Sequence, residues 1–162
     1  RSLPVRVAGA GGEPVAFGSV RLACPLVAAP AALVREHRAR AKPNLNPELL
    51  TFEAERGVPI LVDARVRLTA TRPPGAAEHY VRYDPRLGAL VDARERLRVS
   101  WYADAGELES AGGDVPNGRD AAEVVWTAPS AQASARLWVV LRDDRGGVAF
   151  SALELAVVPH GN

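Results

Sequence analysis

Cysteine is almost absent from this 162-residue chain: Cys24 stands alone, so no disulfide can close within it. Methionine is missing altogether, and isoleucine occurs once, at Ile60. A chain of this length buries roughly 70% of its unfolded surface, so neither a metal nor a disulfide is required for folding. Long apolar runs are also lacking. No stretch reaches the ~18 residues that a membrane-crossing helix needs. Charge of one sign is lacking too: 20 basic against 19 acidic residues leave a net charge of +1. No global field draws such a chain to nucleic acid. Lysine occurs once, at Lys42, and every other basic side chain apart from histidine is arginine. Together with the alanine and proline content, this bias indicates a GC-rich bacterial genome. The chain opens on Arg1, which leads us to expect a processed or truncated product; a removed signal peptide and a cloning boundary both remain open as its origin.

What is present is strand periodicity. Val66, Leu68 and Ala70 alternate with Arg65, Arg67 and Thr69, and Leu97, Val99 and Trp101 alternate with Arg98, Ser100 and Tyr102. The last third of the chain reads as a Trp-bearing strand, a strand closed by Thr127-Ala-Pro129, and a long hairpin turning at 143–147 (DDRGG). Asp before Gly at such a tip is turn chemistry. Residues 78–92 read as a β excursion, and 106–120 as a polar loop. Residues 1–24 read as a further hairpin turning at Gly9–Gly12. An internal echo links the two ends: Val15-Ala-Phe17 and Val148-Ala-Phe150 each follow a Gly-Gly turn, and the apolar phase slips by one residue after each Phe. The slip predicts a β-bulge in each returning strand. It also suggests that residues 1–24 are the last hairpin of a sandwich like the one that closes the chain, either the remnant of a lost preceding domain or a hairpin that packs elsewhere.

Between these β regions, residues 25–48 change character. Pro30 starts, and Pro43 ends, an expected helix over 31–41. It carries the strongest local charge patch: Arg35, His37, Arg38, Arg40 and Lys42. Helical spacing places Arg35, Arg38 and Lys42 on one side. That patch suits an anionic partner, whether an acidic protein, a polysaccharide or the headgroups of a peripheral membrane contact.

The segment from about 49 to 158 resembles bacterial immunoglobulin-like or PKD-like domains. The resemblance rests on Ser100-Trp101, on Trp126-Thr-Ala-Pro129, on Leu141-Arg-Asp-Asp-Arg-Gly-Gly147 and on the final apolar strand. It extends to uncharacterised envelope lipoproteins of myxobacteria-type genomes. It implies an all-β fold, an antiparallel Ig-like β-sandwich preceded by a β-hairpin (1–24) and a short basic helical linker (25–48) and followed by a tail (159–162). It further implies an extracytoplasmic location, in the periplasm, at the outer-membrane surface or secreted. The departures are the long 78–92 excursion and the absence of a cysteine pair.

Candidate chemistry is thin. Trp101, in phase with Val99 and Leu97, belongs to the core. Trp126 and Trp138 have partly apolar neighbours on both sides and are candidate sugar-stacking residues. Asp114, Asn117 and Asp120 offer three oxygen ligands in one loop, a weak Ca²⁺ candidate without EF-hand spacing. His37, His79 and His160 share no metal spacing, and no serine sits in a nucleophile elbow. Leu22-Ala-Cys24 is similar to the end of a lipobox, but Arg21 and the alternating residues before it do not fit, so a buried thiol is expected. No cofactor is indicated. The expected role is a non-catalytic structural or interaction subunit with a protein partner in a larger envelope assembly and without nucleic acid; binding would use the basic segment and strand addition at a sheet edge. The alternative is a carbohydrate-binding module.

Overall fold

The computed structural model describes residues 2–6, 15–19, 26, 29–55 and 57–160. Strands dominate, the sheets are mainly antiparallel, and a curled half-barrel sheet is present. In chain order the described elements are β1 (Ser2–Arg6), β2 (Val15–Ser19), α1 (Ala31–Arg40), β3 (Thr51–Ala54), β4 (Ile60–Leu61), β5 (Arg65–Thr71), β6 (His79–Asp84) and β7 (Ala89–Arg94). They continue with β8 (Leu97–Ala103), β9 (Glu107–Leu108), β10 (Gly112–Val115), β11 (Ala121–Thr127), β12 (Ala133–Asp143) and β13 (Val148–Val158). The chain divides into two compact units, Arg1–Lys42 with Tyr80–Ala93, and Pro43–His79 with Arg94–Asn162.

In the first unit, β1 pairs antiparallel with β2, from Ser2↔Ser19 to Arg6↔Val15. The Gly9–Gly12 turn and Cys24 lie outside the described residues; the bulge expected after Phe17 is absent as far as Ser19, where the described part of the strand ends. Helix α1 begins after Pro30, where a missing N–H leaves no ladder bond unmade. It ends at Arg40, one residue earlier than expected: Ala41 is already extended, although its N–H still donates to the His37 carbonyl. Pro43 disfavours helical backbone at Lys42. Lys42 therefore stands off the helix, and the expected Arg35–Arg38–Lys42 stripe does not form. The excursion is a two-stranded ribbon of β6 and β7.

The second unit holds two sheets, ordered β10-β8-β12-β13-β4 and β3-β5-β11-β9. Their inward residues form one hydrophobic cluster. It takes Val66, Leu68 and Ala70 from β5, Leu97, Val99 and Trp101 from β8, Val124 and Trp126 from β11, and Leu137, Val139 and Leu141 from β12. The phase read from the sequence for β5 and β8 is therefore the observed one. Phe52 tilts against Trp101 with ring centroids 5.9 Å apart. The region expected as a polar loop, 106–120, contains the short strands β9 and β10.

The bulge expected after Phe150 is absent. Strand β13 pairs with β12 residue for residue, from Ala133↔Val157 to Arg142↔Val148. An extra residue in that ladder would turn Leu155 and Val157 out of the core. The phase slip is resolved differently: Val148 and Phe150 stay on the outer face, exposed.

Trp126 is wholly buried, and its indole Nε1 donates to the Ala105 carbonyl at 2.9 Å. The next residue, Gly106, has φ +77°, and a Cβ there would sit 2.3 Å from the Thr127 carbonyl oxygen and 2.5 Å from Trp126 Nε1. Gly118 has φ +89° with open space around it. Gly118→Ala should therefore carry only the left-handed penalty, about 1–2 kcal/mol, whereas Gly106→Ala adds overpacking and should cost about 2–5 kcal/mol in all. Urea unfolding midpoints check this; equal losses at the two sites would refute the packing role of Gly106.

Candidate functional site

Both faces of β12 carry apolar side chains. Ala135, Leu137, Val139 and Leu141 face the core, while Trp138 and Val140 face outward, partly covered. Register then assembles an outer surface. Trp138 lies between Tyr102 on β8 and Ala152 on β13, Val140 between Ser100 and Phe150, and Arg142 between Arg98 and Val148. Phe150 is 74% exposed and Tyr102 49%. One end of the surface is closed by polar contacts: Ser134 Oγ donates to Glu154 at 2.7 Å and Arg136 pairs with it at 3.3 Å. Those two donors hold the Glu154 carboxyl below its ordinary value. The surface is thus an aromatic and aliphatic strip with a guanidinium border.

A second feature is a groove of about 610 Å³ along β10 and β11. Its apolar lining includes Val99, Trp101, Val115 and Ala122, and its charged lining is Asp114, Arg119, Asp120 and Glu123. Arg72, only 4% exposed, supports the 116–120 turn from behind, donating from Nη2 to the Arg119 carbonyl at 2.5 Å. Its Nη1 lies 4.0 Å from Asp120.

A third feature is a polar clasp at the β12–β13 tip, which composition and spacing did not reveal. Asp143 Oδ1 accepts the N–H groups of Arg145, Gly146 and Gly147 at 2.8, 2.6 and 2.7 Å. Its Oδ2 accepts from Asn44 Nδ2 at 3.1 Å. Val148 N–H donates to Asn46 Oδ1, and Leu45 N–H to Glu78 Oε2. Arg145 Nη1 reaches Glu95 at 3.0 Å and Glu78 at 3.4 Å. Glu95 is 1% exposed and also accepts the Glu78 N–H at 2.9 Å. The turn chemistry read at 143–147 is realised. The clasp joins residues 44–46, Glu78, Glu95 and the 143–148 turn around two buried carboxylates, Asp143 and Glu95, and its members hold one another.

The residues singled out from the sequence are dispersed. Trp126 is buried, so its ring offers no face to a sugar, and that candidate is withdrawn. Trp138 lies on the outer strip. Arg40 is engaged by Glu36 at 3.1 Å and by Asp92 at 2.8 Å. Arg35 and Arg38 are exposed on α1, His37 is half-buried, and Lys42 lies beyond the helix. Asp120 turns toward Arg72 while Asp114 sits on β10 and Asn117 in the exposed turn between them; no group of three His, Cys, Asp or Glu gathers among the described residues. His79 and His160 are exposed and far apart in sequence. No helix of the described residues is long and apolar enough to cross a membrane. The outer strip was missed because Tyr102, Trp138 and Phe150 come from three strands and become neighbours only once the register is set. No protein-family model matches this chain, and no curated protein matches it in sequence. Its function must be read from these surfaces.

Burial pushes the Glu95 carboxyl above its ordinary value of 4.5; the Asp143 carboxylate pushes the same way, and the Glu78 N–H and Arg145 oppose it. A carboxyl raised on folding holds its proton more tightly in the folded chain. Its stabilising contribution is complete below the unfolded value and is lost as pH rises through the folded one. Glu95→Gln keeps the acceptor for Glu78 and removes the ionisation. With pH rising from 4.5 toward neutrality, the wild type should lose thermal stability relative to this variant. A difference in melting temperature that stays flat across that range would contradict the buried-carboxyl account.

Proposed function

We propose that the unit formed by residues 43–79 and 94–162 is an immunoglobulin-like sandwich, and that the chain is a non-catalytic interaction subunit of an extracytoplasmic bacterial assembly. The strand orders support the fold. The set β3-β5-β11-β9 follows the order of one immunoglobulin sheet, and β8-β12-β13 that of the other, with a buried Trp on the central-domain strand β8. The bacterial, extracytoplasmic part rests on the arginine-for-lysine bias and on the domain resemblance. Arg35 and Arg38, exposed and without an ion pair among the described residues, add a cationic contact on α1.

The observation that carries the interaction role is the outer strip. Exposed apolar side chains scattered singly are ordinary, but Tyr102, Trp138, Val140, Phe150 and Val148 are contiguous by register across three strands. Aromatic residues bordered by arginine are the composition of protein-interface cores. A second reading, sugar binding, draws on the direct cross-strand pair Trp138–Tyr102, whose rings share one face.

Tyr102→Glu with Phe150→Glu changes two exposed positions and should shift stability by less than about 1 kcal/mol. In cross-linking from native cells, the wild type should capture a partner through β8, β12 and β13, and the variant should lose it. Capture that survives in a folded variant defeats the outer-strip reading. A glycan-array signal abolished by Trp138→Ala would instead favour sugar binding.

A further inference from the structure

The groove along β10 and β11 lies between two sheet edges that differ in what they offer. On β10, the Trp101 N–H donates to the Ala111 carbonyl at 2.9 Å. By the two-residue alternation of a strand, Gly113 and Val115 also bond toward β8, while Gly112 and Asp114 point their backbone away from it. That edge is obstructed. Ser110 Oγ takes the Gly112 N–H at 3.2 Å, and Pro116, next in the outward phase, has no N–H.

The edge of β11 is open. Arg72 N–H donates to the Asp120 carbonyl at 2.8 Å, so residues 120, 122 and 124 bond toward β5. Glu109 N–H donates to the Val125 carbonyl at 3.0 Å, so the odd residues face the other way. Strand β9 is short, and its ladder covers only Trp126 and Thr127. Past its end, Ala121 and Glu123 direct an N–H and a C=O each into the groove, with apolar Val99, Trp101, Val115 and Ala122 as lining.

We propose that this groove is a strand-addition site for an extended segment of a partner protein that alternates apolar and basic side chains. This deepens the interaction-subunit reading by naming a site and a partner chemistry. The added strand continues the line of β9 beside β11. Alternate side chains then fall on the apolar lining, as Val124 and Trp126 do on β11 itself. The others point outward beside Glu123, an exposed carboxylate whose nearest cation, Arg67, stands 3.9 Å away. Charge selects the basic partner: Asp114, Asp120 and Glu123 line the groove with Arg119, and although Arg72 lies 4.0 Å from Asp120 and Arg67 lies 3.9 Å from Glu123, Asp114 is left without a counter-charge among the described residues. Opposite charges across a strand pair stabilise that pair. Backbone bonds supply the affinity and the alternating pockets the selection.

The test uses the full chain and acetyl-Val-Lys-Val-Lys-Val-amide. Titration followed by amide exchange should give saturable binding, with exchange slowed at Ala121 and Glu123 and little changed at Ala122 and Val124, which already bond toward β5. The same peptide N-methylated on its ladder-facing amides should bind about tenfold more weakly. Asp114→Lys with Glu123→Lys, both at exposed positions, should weaken the unmethylated peptide by about threefold to tenfold. No saturable binding at millimolar peptide, or equal binding of the N-methylated peptide, overturns the proposal. Either result, obtained while the outer strip still captures its partner, removes the groove and leaves the interaction-subunit reading standing.

Discussion

The second unit depends on the two-residue alternation of β12 between its neighbours. This eleven-residue strand pairs with β13 along one edge and β8 along the other. Its odd positions carry Ala135, Leu137, Val139 and Leu141 into the shared core, and a shift of one residue would expose them all. Because Trp138 and Val140 occupy even positions, the same register that buries the core also brings two further apolar side chains to the opposite face. Interior and outer strip are therefore consequences of one constraint. Neither can move without the other.

The clasp at Asp143 fixes the end of that strand. Three consecutive backbone N–H groups converge on one carboxylate oxygen, and Asn44 takes the other. The arrangement satisfies donors that a tight turn leaves unpaired. It draws residues 44–46, Glu78 and Glu95 to the same turn. Glu95 is the costly member. Its burial is offset by Arg145 and the Glu78 N–H only in part, as the upward displacement of its proton affinity indicates. A network of this kind specifies one arrangement of the tip more than it adds to net stability.

Much of the β framework was legible from residue order. Strict alternation over 65–70 and 97–102 gave both strands and their buried faces, and Asp-Asp-Arg-Gly-Gly marked the hairpin tip. Local patterning has limits where tertiary pairing decides. The phase slip after Phe150 read as a bulge; the ladder with β12 keeps its register and leaves Val148 and Phe150 in solvent. Trp126 read as ambiguous because Val125 and Thr127 flank it, but the Ala105 carbonyl and the absent side chain of Gly106 make room for its ring. The helix end at Arg40 was within one residue of expectation, yet that residue separated Lys42 from the charge stripe. The strip, the groove and the clasp each combine side chains from segments many residues apart, so no window along the chain contains them.

The unequal treatment of the two edges bears on how a β-rich chain with an outward apolar face avoids indiscriminate pairing. Strand β10 is four residues long, capped by Pro116, with Ser110 occupying its first outward amide. These are devices that blunt an edge. On β11 the corresponding stretch keeps its amides, but Asp120 and Glu123 stand beside them and Asp114 across the groove. Carboxylates at an edge discourage an apolar or acidic strand and admit a basic one. Selectivity at such a site comes from what it repels as much as from the four backbone groups it presents. Another copy of β11 would bring its own Glu123 and Asp120 against these carboxylates, so the edge disfavours pairing with itself.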